Sequence, residues 1–130
     1  MDERAVIPRT EEIYDHVVPI LRTFWLVRDR EYGSSWCEHG LLSALFNLFR
    51  KTDRLSVWLK QLLNGGPTDV PIDTLWDAAE YANAVMAYAA YNRGGEFLVW
   101  LKEQAARYPE MVVELQRWEA HLVQRAGDRA

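Results

Sequence analysis

Cysteine is nearly absent from this chain. Cys37 stands alone, so no internal disulfide can form, and the cytoplasm is the expected compartment. Histidine is sparse as well. His16, His39 and His121 lie far apart, and no two have zinc-ligand spacing. There is no massed positive charge: 15 basic residues are scattered among 19 acidic ones, for a net charge of −4. An electrostatic grip on duplex nucleic acid is therefore not expected. No apolar run approaches membrane-spanning length, so no membrane association is expected. The opening MDERAVIPRTEE is acidic and polar, unlike a signal peptide. Internal repeats and low-complexity tracts are missing. So are β-branched runs of period two, which argues against a sheet.

What remains is rich in apolar side chains, at 49% with six Trp and six Tyr, enough for one domain of 130 residues with a real core. Five helices are predicted. The first is TEEIYDHVVPILRTFWLVRDRE, with Thr10 as its cap and Ile13, Val17, Leu21 and Phe24 on one face. Pro19 should kink or divide it. Gly33 stops this helix, and Ser34 or Ser35 can cap the next. The second spans about 36–63, with Leu41, Leu45, Leu48, Leu55, Leu59 and Leu62 marking its core face. NGGPTDVP breaks the chain, a third helix covers about 72–91, and NRGG ends it. A fourth follows in EFLVWLKEQAARY and a fifth in PEMVVELQRWEAHLVQRA, with Pro109 near its first turn. The fold class is all-α, an antiparallel helical bundle with short connections.

Two places carry candidate chemistry. On the second helix a ridge runs Leu42, Phe46, Phe49 and then Asp53. A carboxylate continuing an apolar ridge is costly to bury unless it is paired or binds metal. Arg50, Lys51 and Arg54 are its candidate partners. On the third helix, IDTLWDAAEYANAVMAY places Asp73, Asp77 and Glu80 on one face. Three like charges there call for solvent, basic side chains or Mg²⁺, which takes oxygen donors. The plainer reading is an acidic first turn that complements the helix dipole. Trp36, Trp58, Trp76, Trp100 and Trp118 read as core, Cys37 as a buried small residue, and His39 as a partly exposed residue near a helix start.

The segments REYGSSW, FRKTDRL and DTLWDAAEYA follow one another in this order, within a match that covers roughly residues 10–92. Together they resemble the nucleotide modification associated domain 1 family, found largely in phages and bacteria and related to the MazG-like NTP pyrophosphatases. The matching positions are Glu31, Tyr32, Gly33 and Trp36, then Arg50, Lys51, Asp53, Arg54 and Leu55, then Asp73, Thr74, Leu75, Asp77, Ala79, Tyr81 and Ala82. Glu80 stands where that family has Asn, and Thr52 interrupts its usual register. The second helix also lacks the Glu-x-x-Glu pair of active MazG-like enzymes; Asp77-x-x-Glu80 is a variant of the second half. The helices at about 95–126 lie outside the resemblance.

The resemblance implies a Mg²⁺-dependent (d)NTP pyrophosphohydrolase, normally a homodimer. Asp77 and Glu80 would be catalytic, and Asp53, Asp73, Asp77 and Glu80 metal donors. Lys51 and Arg54 would meet phosphate, and Tyr81 or Trp36 the base. The alternatives are an inactive module that binds a nucleotide or nucleotide signal, and a protein-binding adaptor or inhibitor. The alanine-rich end ANAVMAYAAY is expected to pack in a core or a subunit seam.

Overall fold

The computed structural model describes residues 6–32, 40–66 and 69–129, and every regular element among them is helical. The first helical stretch, α1, has three contiguous parts: an α-turn at Thr10–Glu12, a π-helical turn at Ile13–Val17 and an α-helix at Val18–Tyr32. Then come α2 (Gly40–Leu63), α3 (Ile72–Asn92), α4 (Gly94–Arg107) and α5 (Met111–Arg129). No helix of the described residues is long and apolar enough to cross a membrane.

The chain divides into two compact units, Met1–Val85 and Met86–Ala130, with the boundary inside α3.

Local chemistry accounts for the helix ends. Thr10 does not cap α1. The cap is Arg9, whose backbone N–H and Nε both donate to the Glu12 carboxylate, at 3.2 and 2.8 Å. Arg9 thereby holds the Glu12 carboxyl below its ordinary range. Pro19 divides the stretch as expected: it has no N–H to donate to the preceding turn, and the wider π-turn lies just before it. The end of α2 is a Schellman motif. Gly66 N–H donates to Gln61 O at 2.7 Å and Gly65 N–H to Leu62 O at 3.2 Å, with Gly65 at φ +71. A side chain at Gly65 would strain that left-handed residue. NRGG ends α3 as expected, with Arg93 alone between the helices and Gly94 and Gly95 in the first turn of α4.

In the first unit, Trp76 of α3 is 8% exposed and packs on Phe24 of α1, ring centroids 4.5 Å apart, with Trp25 at 6.5 Å. Ala44 of α2 and Ala84 of α3 are buried with it. The predicted leucine stripe of α2 is half-buried at Leu41, Leu45, Leu48 and Leu55, but Leu59 and Leu62 are exposed. In the second unit, Leu101 and Ala90 are buried beside an aromatic cluster in which Trp118 meets Phe97 and Tyr91, both at 5.2 Å. The last turn of α3 is thus covered by α5 of the same chain, as Tyr91 also bonds His121 at 2.7 Å. Trp58 and Trp118 are half-buried, while Trp100 is largely exposed, contrary to its expected core place. Gly33, Ser34, Ser35, Trp36, Cys37 and His39 lie outside the described residues.

Candidate functional site

A few charged side chains of the first unit come together on α2 and α3. On α2, positions 44, 48, 51, 55 and 58 share one helix face, and Lys51 is its polar member. That placement leaves the Lys51 side chain only 11% exposed. On α3, Trp76, Glu80 and Ala84 recur every four residues, so Glu80 is the polar member of a buried face. Asp77 lies beside that face. The Lys51 ammonium reaches Asp77 Oδ2 at 2.8 Å, with the aspartate side chain 27% exposed.

This ion pair links α2 to α3 at a depth where neither charge is fully hydrated. Glu80 is half-buried one turn along. Burial pushes its carboxyl above the ordinary value of 4.5, and the Asp77 charge pushes it further. Arg28 of α1 opposes that rise, and Asp29 adds to it. Tyr81 is affected likewise: burial raises its hydroxyl above the ordinary value of 10.0, the Asp77 and Glu80 charges add to this, and Arg50 opposes it. The phenol therefore stays neutral and can donate a hydrogen bond at any physiological pH.

Of the residues singled out from sequence, the structure brings together Lys51, Asp77, Glu80 and Tyr81. Asp53, Arg54 and Asp73 are exposed, and neither Asp53 nor Asp73 is among the charges that perturb Glu80 or Tyr81. The reason is geometric. Leu42, Phe46 and Phe49 are 80%, 67% and 71% exposed, so the ridge that Asp53 continues faces outward. Its carboxylate carries no burial cost to be offset. Trp36 lies outside the described residues.

Two further members, Arg28 and Asp29, were not anticipated. In FWLVRDRE nothing sets them apart from their charged neighbours. The only signal was their place one turn beyond Phe24, which packs on Trp76.

The donor set can be tested against a divalent cation. No group of three or more His, Cys, Asp or Glu side chains that could hold a metal occurs among the described residues. The four-carboxylate arrangement of Asp53, Asp73, Asp77 and Glu80 does not form. What is present is a pair, Asp77 and Glu80, one turn apart and electrostatically coupled. That pair fits the habit of Mg²⁺, which uses one or two carboxylates and completes its shell with water and substrate phosphate. A half-buried carboxyl that holds its proton more tightly than an exposed one is also a suitable general acid or base. Compared with models of protein families, curated proteins and solved structures, the chain finds no match.

Proposed function

We propose that the chain is a nucleotide-processing protein of MazG-like kind, cleaving a (d)NTP between its α- and β-phosphates in the cytoplasm. The carrying observation is that Asp77, Glu80 and Tyr81, on the segment that resembles the family most, and Lys51, on a second matching segment, meet in one half-buried cluster. Asp77 and Glu80 would hold Mg²⁺, which supplies positive charge against the phosphates. Lys51 supplies a second positive charge, as a point donor to phosphate oxygen. Glu80 holds a proton more readily than an exposed glutamate, so it can exchange one with water or with a departing phosphate oxygen. Tyr81 offers a neutral ring and hydroxyl to the nucleoside.

A second copy belongs to this reading. Leu42, Phe46 and Phe49 form an exposed apolar ridge too large to be left to water without cause. One observation favours the alternative of a binding module without catalysis: in the structure Asp77 already has Lys51 as its counterion.

Purified protein incubated with NTPs and dNTPs plus Mg²⁺ tests both. Monophosphate and pyrophosphate on chromatography, abolished by chelator and by Asp77→Asn, are expected for the enzyme. No product but thermal stabilisation by one nucleotide supports the binding module. Neither product nor stabilisation refutes both.

A further inference from the structure

The second unit holds a site unrelated to that cluster. Arg125 lies over the Tyr91 ring, its guanidinium carbon 4.2 Å from the centroid. Tyr91 is fixed from two other directions, by its hydrogen bond to His121 Nε2 at 2.7 Å and by its packing on Trp118. Stacking holds an arginine by its face and leaves the edge, with its fork of N–H donors, open. That edge borders a hollow of about 460 Å³ lined by Tyr91, Asn92, Leu122, Arg125 and Ala126. The size is within the range of small-molecule sites.

The hollow differs from its neighbour in one decisive respect. Across the Tyr91–His121 bond lies a smaller one of about 270 Å³, walled by Phe97, Leu101 and Trp118. Its cation, Arg117, is already neutralised by Glu114 at 3.1 Å. Among the described residues the larger hollow has no carboxylate in its lining and Arg125 has no acidic partner. Asn92 adds an amide at the rim, steadied by its donation to the Tyr88 carbonyl at 3.0 Å. A preorganised guanidinium without a counterion, at the mouth of a half-apolar hollow, is suited to an oxyanion carried on a small apolar body.

We propose that the Tyr91–Asn92–Arg125 hollow binds a small organic oxyanion, a carboxylate or a phosphate monoester, with Arg125 taking two of its oxygens and Leu122 and Ala126 meeting its apolar part. Benzoate, phenyl phosphate and neutral benzamide distinguish the sources. Each is titrated into the full chain and followed by amide and side-chain chemical shifts. Saturable binding of either anion, but not of benzamide, is expected, with shifts centred on Tyr91, Asn92 and Leu122. The preferred anion then names the headgroup. Arg125→Gln should weaken binding about tenfold or more, the usual worth of a hydrogen bond to a charged group. Ala126→Trp fills the hollow while keeping Arg125 in the chain and should abolish binding, which guards against a fold defect at Arg125. Absence of saturation, equal binding of benzamide, shifts confined to the first unit, or unchanged affinity in both variants overturns the proposal.

Discussion

Removing either partner of the Lys51–Asp77 pair should destabilise the first unit, and the two losses should be unequal. The Lys51 side chain is 11% exposed and that of Asp77 27%. Asp77→Ala strands a nearly buried positive charge. Breaking a fully buried pair from one side costs about 3–5 kcal/mol, whereas an exposed pair contributes under about 1 kcal/mol. This pair lies between those limits, so a loss of about 2 kcal/mol is expected for Asp77→Ala. Lys51→Met keeps most of the apolar stem and leaves an aspartate that water can still reach, so its loss should be about 1 kcal/mol or less. The double variant removes both charges and should be no worse than Asp77→Ala alone. For a chain of this size, the Asp77→Ala loss corresponds to a Tm lower by about 6 °C. Urea melts of the four proteins give the coupling energy as a double-mutant cycle. Equal losses that simply add would refute the claim that these two groups are paired at depth.

The remaining predictions are shorter. Glu80→Gln should raise stability at pH 7–8 relative to the parent, with the gain fading as pH falls towards 4. The sign follows from the raised carboxyl: the folded state binds the proton more tightly than the unfolded chain does, so native stability falls as pH rises from the ordinary 4.5 through the folded value. A thermal melt at several pH values checks it, and a gain that grows at low pH would contradict the stated cause. Trp76→Ala should cost about 3–5 kcal/mol, because a large ring packed on Phe24 and Trp25 is lost from a small core; denaturant melts read this directly. In the proposed dimer, Phe46→Glu with Phe49→Glu should shift sedimentation to the monomer, as both rings are exposed in the single chain. An unaltered sedimentation coefficient would remove this ridge as the seam.

Helix number, type and approximate bounds were legible because each rests on local information. The spacing of Leu41, Leu45, Leu48 and Leu55, the stop at NGGP and the division at Pro19 involve neighbours along the chain. NRGG ends α3 as expected, but one residue, Arg93, suffices for the break, and the two glycines join the first turn of α4. The aspartate and glutamate of α3 stood out in sequence, and so did the lysine and arginines of α2. Which of them meet was not legible. Two apolar ridges run along α2, and periodicity alone gives no reason for one to face inward and the other out. Tertiary packing put the Leu48–Lys51–Leu55 face inside and left Leu42, Phe46 and Phe49 outside. That choice made Lys51 the buried charge and left Asp53 in water. The burial that raises the Glu80 carboxyl, and the approach of Arg28 and Asp29 from α1, depend on the same packing. So does the stacking of Arg125 on Tyr91, residues far apart along the chain. A sequence fixes which side chains share a helix face; only the packing of that face against others decides which charges lose their water, and with it their ordinary chemistry.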